Sequence, residues 1–178
     1  MNDTKGLPPG WYERYEAWLE RSRPLLEAHE GAAAFRDYPW VTYDDSLLTR
    51  PERPLGASRL ALVTSGGLSL PGQPPFREED PLGDATFRWI PGPGPLSGWA
   101  IHHGHYDPAA ATRDYNAVFP LDIVRRLSEE GTIGSTAARH VSCMGYQTDP
   151  GPWLEESVPA ITAGLKDEGA DAVLLVPV

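Results

Sequence analysis

The sequence predicts an α/β protein with an open, mostly parallel sheet, crossover helices and an N-terminal helical arm. Short apolar runs typical of buried strands occur in RLALVTSGGL, ARHVSCMGY and GADAVLLVPV. Segments with helical periodicity lie between these runs. A succession of strand, helix and strand favours parallel pairing with right-handed crossovers.

The N-terminal arm is predicted to be an amphipathic helix between Pro9 and Gly31. Its apolar positions recur at helical spacing, and Pro24 is expected to break or kink the pattern. The stripe is interpreted as a packing face, against the domain or a partner chain, and it consists of Trp11, Tyr15, Trp18 and Leu19.

The remaining elements follow in order along the chain. After the first strand, SLPGQPPFREEDPLG holds four prolines and predicts a long ordered loop. ATFRWIP and GWAIHHGHYD are predicted strands, and FPLDIVRRLSEEG is a predicted helix that Gly131 ends. The last helix, PGPWLEESVPAITAGLKDEG, is expected to kink near Pro159.

Composition excludes several classes of protein. The 178 residues carry a formal net charge of −10 and the pI is near 4.9, which disfavours nucleic acid and anionic membranes as partners. The single cysteine, Cys143, allows no internal disulfide, and neither a signal peptide nor a membrane-spanning run is present. We therefore expect a cytoplasmic protein, with Cys143 as a buried structural residue.

The string HHGHYD is the sharpest local signal for chemistry. On a strand, alternate side chains share a face, so His103, His105 and Asp107 are predicted to point together as candidate catalytic or metal-binding residues. The string is similar to the metal motif of metallo-β-lactamase-fold hydrolases, but that motif continues with a further histidine where this chain has Pro108. Hydrogen bonding of these histidines within a loop is the alternative, and metal binding stays open.

Three other polar residues are candidates for binding a small zwitterionic substrate. Arg77 can hold a carboxylate with two hydrogen bonds, and Asp114 and Asn116 can bind an amine. Alternatively, Asp114 and Asn116 cap or turn the chain into the helix that starts at Pro120.

The last segment, GADAVLLVPV, is predicted to be a buried parallel strand. Ligands of open α/β folds bind beyond the carboxyl ends of the strands, so we expect the active-site crevice there. We divide the chain into an arm with a proline-rich linker (residues 1–55) and an α/β domain (residues 56–178) that we expect to be incomplete at its C-terminus.

Several separated motifs, in the same order, resemble one family. ALVTSGGLSLPGQPPFREEDPLGD, HHGHYD, DYNAVFPLD, EEGTIGS, HVSCMGY and the last segment together resemble the selenoprotein B subunit of glycine, sarcosine and betaine reductases and its relative in D-proline reductase. The resemblance runs from Leu60 to Val178. It implies reductive cleavage of a C–N bond in a small amine or amino acid, with a thiol reductant and a partner subunit that carries a pyruvoyl group.

In that family a selenocysteine, or a cysteine in its place, follows a strand like DAVLLVPV. This chain has neither after Val178 and holds no cofactor of its own, so we expect either a selenoprotein truncated at a UGA codon or a short homologue without the nucleophile. A truncated chain is expected to form a homo-oligomer or an unstable monomer. The alternatives are a metal-dependent hydrolase that uses the HxHxD string and a non-catalytic binding homologue.

Overall fold

The computed structural model describes residues 6–42, 49–104 and 106–178. The helices are α1 (Trp11–Glu27), α2 (Gly31–Ala34), α3 (Ala109–Arg113), α4 (Leu121–Glu129) and α5 (Val158–Asp167). The strands are β1 (Arg59–Thr64), β2 (Leu68–Ser69), β3 (Phe87–Pro91), β4 (Ala100–Ile101), β5 (Ser135–Thr136), β6 (Arg139–Cys143) and β7 (Ala172–Val176).

Strand β1 lies inside the main sheet. It pairs in parallel with β5 at Leu60 and Thr136, with β6 at Val63 and Val141, and with β7 from Leu60 and Ala172 onward. Since Leu60 has partners in both β5 and β7, those strands lie on opposite sides of β1. β3 pairs antiparallel with β6, while β2 and β4 form a separate antiparallel pair. The predicted α/β class with a mostly parallel sheet is confirmed.

The two faces of the main sheet are covered by different helices. Leu60 and Leu62 of β1 pack in one cluster with Val124 of α4, whereas Ala61 packs in another with Ile161 of α5. This alternation follows from the two-residue period of a strand, which sends successive side chains to opposite faces. The crossover helices predicted from periodicity therefore form the two outer layers.

Strand β7 corrects one expectation about burial. Its parallel pairing with β1 is confirmed, but the prediction that it is buried is wrong, because Val173, Leu174 and Leu175 are 43%, 42% and 67% exposed. Within the described part of the chain, β7 has a neighbouring strand on the β1 side only. Its apolar side chains therefore lie at an edge, where the helices do not cover them fully.

The aromatic stripe packs within the arm, and Tyr15 and Tyr38 connect the arm to the rest of the chain. Trp11 and Trp18 are each 1% exposed, and the Tyr15 hydroxyl lies 3.3 Å from the Thr148 hydroxyl. The Tyr38 hydroxyl, after α2, donates to the Thr148 carbonyl at 2.8 Å. The stripe is thus a packing face within this chain, and α1 continues through its last turn without a break at the predicted proline.

One further prediction about a helix needs adjustment. The segment before α5 is a π-helical stretch, Trp153–Ser157, so Pro159 lies in the first turn of α5 at a change of helix type. A proline has no N–H to donate to the preceding turn, and a change of helix type is one way in which a continuous helix accommodates it. None of the helices in the described residues is long and apolar enough to cross a membrane.

Candidate functional site

The carboxyl ends of β1, β6 and β7 meet at one edge of the sheet, which we call the carboxyl edge. The turn that follows β1, residues 64–67, lies at its centre. The Thr64 side chain is fully buried and donates to the Val118 carbonyl at 2.6 Å, while the Gly66 N–H donates to the Thr64 hydroxyl at 3.1 Å. These hydrogen bonds fix the turn against the segment that precedes α4.

The next residue, Ser65, connects this turn to the end of β7. Its backbone N–H donates to the Val176 carbonyl at 3.1 Å, and its hydroxyl oxygen accepts from the Val178 N–H at 2.9 Å. The loop after β6 also approaches closely, since a Cβ added to Gly145 would lie 3.1 Å from the Ser65 hydroxyl oxygen. Ser65 therefore lies where three chain segments meet.

The cysteine at the end of β6 has the inert character predicted for it. Cys143 is buried, and its thiol donates to the Thr64 carbonyl at 3.1 Å. Burial raises the pKa of this thiol to about 12, so it stays protonated at neutral pH. A protonated, hydrogen-bonded thiol is a poor nucleophile, and this supports a structural role for Cys143.

The described residues of HHGHYD do not form a strand, which corrects the predicted strand there. β4 ends at Ile101, and the chain then folds over the turn after β1. The His102 N–H donates to the Gly67 carbonyl at 2.8 Å, and the Tyr106 hydroxyl donates to the Gly66 carbonyl at 2.9 Å. Strand alternation therefore does not apply from His102 onward, and the segment forms one wall of the carboxyl edge.

The three candidate residues of the HxHxD string have different environments. His103 is buried and its ring lies 4.6 Å from the Tyr106 ring. Asp107 is exposed, and its carboxylate accepts from the Ala109 N–H at 2.9 Å at the start of α3. His105 lies outside the described residues. Across the described residues no three histidine, cysteine or acidic side chains form a group that could hold a metal ion, so a role for this triplet stays a prediction.

His102 makes side-chain contacts. Strand alternation had predicted that it points away from the other candidate residues of this segment. Its Nε2 lies 2.9 Å from the Ser69 hydroxyl, and its Nδ1 lies 3.9 Å from a carboxylate oxygen of Glu78. This contact joins the long loop after β2 to the histidine-rich segment. No local motif announces it, because the three residues come from separate stretches of the chain.

Arg77 lies in that long loop and is engaged by two carboxylates. Its backbone N–H donates to the buried carboxylate of Asp84 at 3.0 Å, and its guanidinium donates to Asp80 at 3.0 Å. Burial would raise the pKa of Asp84, but hydrogen bonds from Thr86 and Arg77 outweigh it and hold that pKa below its usual range. The Arg77 side chain is 62% exposed, and substrate binding by it stays a prediction.

Asp114 and Asn116 lie in a separate hydrogen-bonded group near the start of α4. The Asp114 carboxylate accepts from the Asn116 N–H at 2.9 Å and caps the short helix Tyr115–Ala117. The Asn116 side chain donates to Asp122, which also pairs with Arg125. Both residues therefore have the capping arrangement that the sequence offered as an alternative to substrate binding.

A cleft of about 480 Å³ separates the arm from the long loop. Leu26, Glu27 and His29 line one side, and the acidic run Glu78–Asp80 lies opposite. The cleft combines residues about fifty positions apart in the chain. Sequence reasoning missed it, and it missed Ser65 as well, although a glycine pair after a buried strand was a signal for the turn.

The geometry places this chain among parallel α/β proteins whose polar residues gather at the carboxyl ends of the strands. The comparison with protein families identifies the particular one. The family model for glycine/sarcosine/betaine reductase selenoprotein B matches residues 25–178, so the chain belongs to this family. The recognition made from the sequence motifs is confirmed.

Curated relatives with similar sequences are subunits of reductases. The D-proline reductase subunit gamma of Acetoanaerobium sticklandii is 38% identical over 116 residues, which cover 65% of this chain and 47% of the relative. The glycine reductase complex component B subunit gamma of Carboxydothermus hydrogenoformans is 33% identical, over 85% of this chain and 35% of the relative. The betaine reductase complex component B subunit beta of Peptoclostridium acidaminophilum is 29% identical, over 97% and 41%.

The chain thus spans between a third and a half of the length of these relatives. No solved structure matches it at a significant level.

Proposed function

We propose that this chain is a component of a reductase of the glycine, sarcosine, betaine and D-proline type, which cleaves a C–N bond of a small amine or amino acid with a thiol reductant. The observation that carries the proposal is the family match across residues 25–178, which includes every segment that forms the carboxyl edge. Relatives named as subunits of such reductases support it.

The redox-active group of the proposed enzyme is a selenocysteine, or a cysteine in its place, that follows the strand equivalent to β7. Such a group supplies a nucleophile that displaces the amine from carbon. The residues at the carboxyl edge fit this role, because Ser65 offers a hydroxyl and Gly145 places no side chain against it. Cys143 does not serve instead, since burial keeps its thiol protonated.

The proposed partner is a subunit that carries a pyruvoyl group and holds the substrate amine. Relatives named as subunits of multi-component reductases support a partner subunit of this kind. The functional division within the chain, between residues 1–55 and residues 56–178, belongs to the same proposal. So does a cytoplasmic location.

The first test is to read the codons that follow Val178 in the gene. We expect an in-frame UGA, or a cysteine codon, followed by an open frame, with selenium in the native protein if the codon is UGA. The 178-residue chain alone should then show no substrate-dependent oxidation of a thiol. An ordinary stop codon at this position would overturn the proposal and favour a non-catalytic homologue.

A metal-dependent hydrolase remains the contrasting hypothesis, and no contact in the described residues favours it. Its test is the zinc content of the purified protein, with His103→Ala as the variant that should lose any bound metal. We expect a substoichiometric amount of zinc. One zinc ion per chain, lost on this substitution, would support the hydrolase instead.

A further inference from the structure

The backbone ladder between β1 and β7 is extended at its carboxyl end by one side chain, that of Ser65. Their ladder runs from Leu60 and Ala172 to Thr64 and Val176, and the Ser65 N–H extends it by bonding the Val176 carbonyl at 3.1 Å. The β1 backbone then turns away at Gly66 and Gly67, and the latter has a positive φ of 68°. At that point the Ser65 hydroxyl oxygen replaces the backbone carbonyl and accepts from the Val178 N–H.

The hydroxyl hydrogen of Ser65 remains available for a further bond. The oxygen accepts from Val178 at 2.9 Å, and within the described ranges 6–42, 49–104 and 106–178 no acceptor takes the hydrogen. A serine hydroxyl can accept and donate at once. Ser65 can therefore hold the main chain at Val178 and also donate to a group beside it.

The titratable side chains bonded to this turn do not supply a donor for an anion beside Ser65. Among the titratable side chains tied to this turn, burial raises the pKa of Cys143 to about 12 and also raises that of Tyr106, so both are neutral near pH 7. Their hydrogens are donated to the carbonyls of Thr64 and Gly66. The third such residue, His102, is bound through its backbone to Gly67 and through its ring to Ser69 and Glu78.

We infer that Ser65 is a positioning residue for the redox-active selenolate or thiolate. It fixes the main chain at Val178 and donates its hydroxyl hydrogen to the anionic form of the residue proposed to come after Val178. This inference rests on the proposed function. The physical basis is that a hydrogen bond to a charged acceptor is stronger than one to a neutral acceptor, so the donor favours the anion over its protonated form.

The test compares Ser65→Ala with Ser65→Thr in the full-length protein, and follows alkylation of the nucleophile by iodoacetamide as a function of pH. Cys143→Ala is used as the background in every sample, and the alkylated residue is identified by mass spectrometry, so that the rate that is followed belongs to the nucleophile. We expect Ser65→Ala to raise the apparent pKa of alkylation by about one unit, which slows the reaction about tenfold at a pH below that pKa. Ser65→Thr, which keeps the hydroxyl, should restore the profile.

The outcomes separate the inference from the proposed function. If the full-length wild-type protein contains no selenocysteine or cysteine after Val178 that can be alkylated, both are overturned. If that residue is alkylated and Ser65→Ala has the wild-type pH profile, only the role of Ser65 is overturned. A purely structural role of Ser65 would lower the melting temperature of Ser65→Ala and leave the apparent pKa unchanged, which also contradicts the inference.

Discussion

Strands β1 and β7 are neighbours of similar composition, but their burial differs. They pair over five positions, from Leu60 and Ala172 to Thr64 and Val176. Leu62 of β1 is fully buried, whereas its register partner Leu174 is 42% exposed. The difference arises because, among the residues that the structure describes, β1 has strands on both sides and β7 has one. The position of a strand in the sheet, more than its own apolar character, therefore decides how much it contributes to stability.

The largest expected effect comes from comparing two single variants, each of which shortens a leucine to alanine in one of the two strands. Leu62→Ala should lower the free energy of unfolding by about 2–5 kcal/mol, because it leaves a cavity in the core. Leu174→Ala should cost about 1 kcal/mol or less, since part of that side chain already contacts water. Urea denaturation of the two variants measures both values. Equal losses would mean that β7 is as buried as β1.

The turn at the carboxyl end of β1 provides the next test, because backbone from another segment approaches it closely. In Gly67→Ala the new Cβ would lie 2.2 Å from the His102 carbonyl oxygen, at a residue whose φ is already positive. We expect a loss of about 2–3 kcal/mol.

The matched control for this variant is Gly131→Ala. Gly131 also has a positive φ, of 75°, but no atom lies within 4 Å of the added Cβ. It should lose only about 1 kcal/mol, the cost of the left-handed conformation alone. Similar losses in the two variants, measured in the same urea series, would show that the approach of His102 to the turn contributes nothing.

The amino ends of β1 and of its other neighbour, β6, are joined through Glu168, and this predicts a dependence on pH. The Glu168 carbonyl accepts from the Arg59 guanidinium, and its carboxylate accepts from Arg139. Burial would raise the pKa of Glu168, but the hydrogen bonds from Arg139 outweigh it, so the pKa lies below its ordinary value of 4.5. A carboxyl group with a lowered pKa stabilises the fold above pH 4.5, and this contribution is lost as the pH falls below that value.

Glu168→Gln should therefore cost about 1 kcal/mol at pH 7 and less at pH 3, where the wild type has lost part of the same contribution. Chemical denaturation at the two pH values measures this difference. Glu129→Gln, at an exposed position on α4, is the control and should follow the wild type at both. A Glu168→Gln deficit that does not shrink at pH 3 would contradict the ion-pair explanation.

Local patterns predicted most elements, because each is set by neighbouring residues. The apolar run of β1 and the periodicity of α4 are examples, and the resemblance of separated motifs was sufficient to identify the family. The order of strands in the sheet depends on contacts that composition does not record, and so the exposure of β7 was missed. The same limit applies to the candidate site. Ser65 and Val178 are 113 positions apart, so no local pattern indicates their contact. His102 and Tyr106 bond to the turn after β1, where the sequence had predicted a strand.

The smallest expected effect on stability is that of a charged substitution on the exposed face of β7. Leu175 is 67% exposed and pairs in register with Val63 of β1, which packs against the cluster that contains Ile161. Leu175→Lys should change the free energy of unfolding by about 0.5 kcal/mol or less, because a lysine at this position keeps its charge in water. Val63→Lys, the matched variant on β1, should be strongly destabilising since it places a charge against the core.

Because exposed apolar edge strands promote association between chains and a lysine opposes it, Leu175→Lys should also reduce light scattering on heating. Unchanged scattering would mean that the free edge of β7 is not where the chains associate.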